Sequence, residues 1–228
     1  MTSNITAILK VIIYIGIFSQ LLPLVFFLLF KRNTKEKSLR VIFYYILYCI
    51  VNESLGFYLH QIHQDDLYIF TFAFFTVAEF SFFCLFYFYV LPNPNHKKFI
   101  FPIWLCFVVF SLIDFFFMNR MEGFDSFTSG LQTIFIIGLC IYYLVIQIKG
   151  KTDLYIYSTS NFWIIITFLI SLSGTFFLYI LAENMIKNQK FVDLYNIINS
   201  FFNLLKNVLL SIAMMMKSDQ TKPELKKI

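Results

Sequence analysis

The residues best suited to chemistry stand in the last apolar stretch, Tyr195-Asn196-Ile197-Ile198-Asn199-Ser200-Phe201-Phe202-Asn203-Leu204-Leu205-Lys206-Asn207. Asn196, Asn199, Asn203 and Lys206 follow one another at steps of three, four and three. On a helix those steps place all four on one face. Such a face is costly against lipid, so it is expected to look into a helical bundle. A buried lysine can pair with an acid, bind a ligand or, once deprotonated, form a Schiff base.

Candidate partners lie in other apolar stretches. Counted at about 1.5 Å per residue, Asn52 and Glu53 fall ~17–18 Å from one end of their segment, and Glu79 ~18 Å from the opposite end of its own. Both carboxylates therefore sit near mid-membrane. Lys206 lies ~15 Å from the nearer end of its helix, and a lysine stem spans only ~6 Å of that by snorkelling. It must be paired, neutral or in a wet cavity. The expectation is a buried polar network of Glu53, Glu79, Asn199, Asn203 and Lys206, with Gln20 beside Pro23 as a further member. Two readings stay open. The network either glues helices together through interhelical hydrogen bonds of ~0.6–2 kcal/mol each, or forms a ligand, ion or proton site.

Sharper chemistry meets obstacles in the sequence. A lysine midway along a seventh helix, with an acid in the third, outlines a retinal protein. Yet Phe202 stands where the microbial pattern has Asp four residues before the lysine, and the third-helix Arg-Tyr-x-x-Asp-Trp pattern is missing. His60-Gln61-Ile62-His63-Gln64-Asp65-Asp66 offers His60, His63 and Asp65 as weak zinc-hydrolase ligands. Zinc catalysis wants three protein ligands and an open position, and the remaining histidine, His96, is expected across the membrane. A polar interfacial loop explains the run more simply, so neither a metal nor another cofactor is expected. For a transporter, unwound Gly- or Pro-bearing helices would be the pointer. Ser171-Leu172-Ser173-Gly174-Thr175 could open such a gap or simply pack closely. Asp114, Gly130-Leu131-Gln132-Thr133, Glu183 and Asn196 could line an outward mouth. Cys49, Cys84, Cys106 and Cys140 each fall inside apolar runs and read as packing residues rather than a disulfide framework.

Seven apolar windows near the ~20 residues that a span requires must position these groups: 8–30, 41–59, 67–91, 98–118, 127–148, 159–182 and 192–216. The expected fold is an all-α, seven-helix, up-down membrane bundle over 1–216. Short connections should make successive helices neighbours. The first window is too long for a signal-peptide core and lacks a small-residue cleavage site. Five Lys or Arg fall within 31–40, two at 97–98, two at 149–151 and four in the short basic tail 217–228, against Arg120, Lys187 and Lys190 on the other side. The positive-inside rule then puts the N-terminus outside and the C-terminus inside.

With 59% hydrophobic residues, mean hydropathy +0.74 and only 14% charged residues, the composition is that of an integral membrane protein. The net charge of +5 belongs to loops that obey the positive-inside rule, so no nucleic-acid partner is expected. Aromatics surround the third window on all sides rather than forming a stripe. Tyr142, Tyr143, Tyr155 and Tyr157 are expected to form an interfacial belt.

The runs Asn161-Phe162-Trp163-Ile164, Ser173-Gly174-Thr175-Phe176-Phe177, Tyr195-Asn196-Ile197-Ile198 and Asn203-Leu204-Leu205-Lys206-Asn207 resemble uncharacterised seven-helix membrane proteins of Bacteroidetes, flavobacteria especially. Some relatives look like membrane input modules of histidine kinases. The resemblance implies a multi-pass protein of the bacterial inner membrane and assigns no catalytic residue. No kinase segment, HisKA-like helix or ATP site follows before Ile228, so any output is expected to pass to a separate partner.

Together these features suggest a stand-alone sensor or receptor-like module rather than an enzyme. Its expected partners are membrane lipids and a cytoplasmic or inner-membrane signalling protein, reached through the first inner loop and the basic tail. A small-solute or ion transporter and a lipid-modifying membrane enzyme are the alternatives.

Overall fold

The computed structural model describes residues 11–12, 14–30, 34–91, 94–118, 126–149, 159–185 and 188–216. The start of the first window and the basic tail 217–228 lie outside the described residues, as do Arg120, Lys187, Tyr155 and Tyr157. The described chain is a polytopic helical bundle. Six helices are long and apolar enough to cross a membrane: α2 (Lys37–Gln61), α3 (Asp65–Val90), α4 (Ile100–Ile113, within the apolar stretch Pro94–Phe117), α5 (Ser126–Lys149), α6 (Ser160–Met185) and α7 (Gln189–Met215). A shorter apolar helix, α1, is described over Tyr14–Leu29.

Local chemistry sets the ends. Leu91, before Pro92, takes the extended conformation that proline imposes on its predecessor (φ −68°, ψ 126°) and closes α3. The α2–α3 connection turns through His63 at φ 56°. Asn188 caps α7, its side chain accepting from the Lys190 N–H at 3.1 Å. Within the helices, side-chain hydroxyls bond back to the carbonyl four residues earlier, as Thr71, Thr133, Thr167 and Ser211 do.

The helices close into a ring. The chain-order neighbours α2 and α3, α5 and α6, and α6 and α7 pack side by side, while α1 lies against α7. The expectation that each helix neighbours the next holds, and α4 touches both α3 and α5, but it does not stand between them. Instead α3 packs directly on α5, and α4 sits outside the ring on the back of α3. Large aromatics drive this: Phe80 of α3 meets Phe107 of α4 at a centroid distance of 4.2 Å, and the Trp104 indole N–H donates to Ser81 Oγ at 2.8 Å. At its end α4 loosens into a π turn, Asp114–Met118.

The two halves of the bundle differ in packing. At the end bearing the turns after α1, α3 and α5 the core is dense. Leu39, Ile42, Phe86, Tyr87, Ile136, Tyr143, Ile164, Ile165, Leu210, Ala213 and Met214 are all essentially inaccessible. Tyr143 therefore belongs to this core and not to an interfacial belt, because its place on α5 turns it inward; Tyr142, one position on, is exposed. Lys37 and Lys97 lie over the Tyr89 and Phe88 rings at this same end. Outside the ring Phe18, Leu28, Phe74, Phe101, Phe117, Phe177 and Phe201 are exposed, as an apolar solvent requires.

Candidate ligand site in the bundle

The other half of the ring is hollow. A cavity of about 730 Å³ runs from mid-bundle toward the α2–α3 and α6–α7 turns. Each wall is a helical stripe. α2 contributes Tyr45, Cys49, Asn52, Glu53 and Gly56, and α3 contributes Tyr68, Phe72, Thr76 and Glu79. α5 adds Ser129, Gln132 and Thr133, and α6 adds Phe168, Ser171, Thr175 and Tyr179. α7 presents Tyr195, Asn196, Asn199, Asn203 and Lys206. Spacings of three and four recur on every helix, which is how one face of each comes to look inward. At mid-bundle the cavity ends on an aromatic floor, where Tyr45 and Phe83 each pack edge-on or tilted against Phe168 at centroid distances of 5.8 and 4.4 Å.

The structure brings Glu53, Glu79, Asn199, Asn203 and Lys206 to one cavity, with buried Gln20 bonded to Glu53 from outside the lining, but pairs them differently. Glu79 is held from two sides, accepting from the Tyr45 hydroxyl at 2.7 Å and from Gln132 Nε2 at 2.8 Å. Glu53 accepts from Gln20 Nε2 at 2.5 Å through one oxygen. Its other oxygen, Oε2, is buried and has no hydrogen-bond partner among the described residues. Lys206 pairs with neither acid: among the described residues no carboxylate oxygen lies within 4.0 Å of Nζ, which stands 5.9 Å from the Tyr45 ring centroid. Lys206 and Glu53 line the same cavity without forming a contact pair.

The asparagine ladder behaves as a lining. Among the described residues the side-chain amides of Asn52, Asn196, Asn199 and Asn203 make no hydrogen bond to protein. Helix glue would bond across helices. That work falls instead to Asn207, whose Nδ2 donates to Ser19 Oγ at 2.7 Å, while Ser19 donates to the Gly16 carbonyl at 2.6 Å. Gly16 of α1 packs on Ser200 of α7, where a Cβ would stand at ordinary contact distance, 3.5 Å from Ser200 Cβ. α1 is thereby fixed where Gln20 reaches Glu53.

The small-residue run of α6 stays helical and divides its faces, Ser171 and Thr175 lining the cavity while Gly174 packs on α7. A Cβ on Gly174 would overlap the Phe202 ring, with Cε2 at 2.5 Å and Cζ nearer still. Phe202, which occupies the position that retinal proteins give to Asp, fills the α6–α7 contact. Of the remaining candidates, Gln132, Thr133 and Asn196 line the cavity. Gly130 instead packs against Ile180, and Asp114 is buried, accepting from Thr128 at 2.8 Å. The side chains of Glu183, His60 and Asp65 lie outside the described residues. His63 is exposed. Among the described residues no three His, Cys, Asp or Glu side chains converge as a metal site.

Tyr45, Gln132 and Asn52 carry more of the site than the ladder alone suggests. For Tyr45 and Asn52 the signal was present: with Cys49, Glu53 and Gly56 they form one helical stripe on α2. Gln132 has no comparable signal, because its bond to Glu79 depends on α3 packing against α5. No family model, curated protein sequence or solved structure matches the chain.

Proposed function

We propose that this is a heptahelical sensor of the bacterial inner membrane, with α1 as a seventh span, the N-terminus outside and the cavity facing outward. A small molecule bound in the cavity would alter the contacts among Glu53, Gln20, Lys206 and Tyr45. The densely packed opposite half would carry that change to a cytoplasmic or inner-membrane partner. One observation carries this reading: a cavity within the usual ~300–1,000 Å³ range of small-molecule sites, about 730 Å³ here, holds polar groups that the protein does not satisfy itself. It closes on an aromatic floor, which favours reception over a through-path.

Cross-linking and pull-down from native membranes tests the output arm. A protein captured by the wild type, with capture altered in Glu53→Gln, is the expected result. Capture of no cytoplasmic or membrane protein removes the sensor reading. Solute flux into proteoliposomes that Glu79→Gln abolishes would assign a transporter, and lipid turnover lost in His60→Ala would assign an enzyme.

A further inference from the structure

We infer that the ligand is a small zwitterion, carrying an amine and a carboxylate on one apolar body, as an amino acid does. The inference rests on the cavity being a ligand site. Two facts on separate helices, and the relation between them, lead to it. The buried Glu53 Oε2 on α2 lacks a donor. The Lys206 ammonium on α7 faces the same cavity without a carboxylate in contact. Among the described residues the two groups line one cavity without forming an ion pair with each other, so the protein leaves both open to a ligand.

A bare cation would satisfy Glu53 and leave Lys206 unpaired, and an anion would do the reverse. A molecule bearing both charges satisfies both at once. Its ammonium would donate to Glu53 Oε2, and its carboxylate would accept from Lys206 Nζ. Asn199 and Asn203, beside Lys206 on the same face, offer amides to either group. Glu79 already accepts a donor on each oxygen, from Tyr45 and Gln132, so the undonated Glu53 Oε2 is the stronger draw for the amine. The rest of the ligand meets aromatic walls toward the turns, among them Tyr68, Phe72 and Tyr195, so an apolar or aromatic side chain is favoured. The volume also exceeds by far what one dehydrated ion needs.

The test uses full-length protein in nanodiscs and follows binding by calorimetry. The panel is the standard amino acids together with phenethylamine, which keeps only the amine, and 3-phenylpropionate, which keeps only the acid. At least one apolar amino acid, phenylalanine first among them, should bind saturably. Each single-charge analogue should bind about 30-fold more weakly or worse, as expected when one partner of a desolvated charge pair is removed. Glu53→Gln should weaken phenylalanine and phenethylamine but spare phenylpropionate. Lys206→Met should weaken phenylalanine and phenylpropionate but spare phenethylamine. The analogue comparison needs only wild-type protein, so a poorly folding variant does not block it. Phenethylamine binding as tightly as phenylalanine overturns the zwitterion in favour of a cation site, while the ligand-site reading survives. Binding of phenylpropionate alone overturns it in favour of an anion site. If no member of the panel binds, the zwitterion proposal falls, and the sensor reading is then judged by the pull-down alone.

Discussion

Lys206→Met separates a ligand site from helix glue through the sign of its effect on stability. Methionine keeps the length and apolar stem of lysine and removes the ammonium. A lysine at the centre of a spanning helix costs about 2.5–3.5 kcal/mol on insertion scales. Lys206 faces a cavity rather than lipid, so part of its hydration survives, and half that figure, about 1.5 kcal/mol, is the appropriate relief. Against it stands the contact with the Tyr45 ring at 5.9 Å, worth about 0.5 kcal/mol in a wet site. No carboxylate contact is lost. The net expectation is about 1 kcal/mol of stabilisation, or a rise of about 2–4 °C in melting temperature for a chain of this size. A thiol-reactive dye reads this directly in detergent or nanodiscs, because Cys49, Cys84 and Cys140 are buried free thiols that unfolding exposes. Exposed Cys106 sets the baseline. A stability loss above about 1 kcal/mol would refute the reasoning, since it would mean that Lys206 holds the bundle together. Stabilisation coupled to loss of ligand is the usual mark of a functional group kept at a cost.

Other residues respond with predictable signs. Gly174→Ala should destabilise by about 1–3 kcal/mol through overpacking, and Phe202→Leu in the same chain should restore most of the loss; no recovery would place the strain elsewhere. Gln132→Leu removes one of two donors to Glu79 and should cost about 1–3 kcal/mol. In a Glu79→Gln background that cost should shrink, and a double-mutant cycle without coupling would break the assignment. Asn207→Ala should loosen α1 from α7 by about 0.6–1.7 kcal/mol and raise hydrogen exchange in α1 before other helices; uniform exchange would count against the Asn207–Ser19 link.

Composition and pattern determined much of this protein. The solvent it needs and the inward face of α7 follow from apolar runs near 20 residues and from polar groups at steps of three and four, because lipid punishes any other arrangement; of the seven expected spans, six are long and apolar enough to cross and the first is described as a shorter apolar helix. The same logic put Glu53, Glu79, Asn199, Asn203, Lys206 and Gln20 at compatible depths. Depth along a helix is set by rise per residue and needs no tertiary information. Lateral position does need it. Chain order placed α4 between α3 and α5, whereas the Phe80–Phe107 contact moves α4 outside and lets Gln132 reach Glu79. The fit of Phe202 on Gly174 and of Gly16 on Ser200 decided how the faces turn. Which donor met which acid was therefore decided in the tertiary structure. The sequence made Lys206 the costly member of the ladder and nominated two acids to neutralise it. Packing instead gave those acids to Gln20, Tyr45 and Gln132, and left the ammonium facing an open cavity.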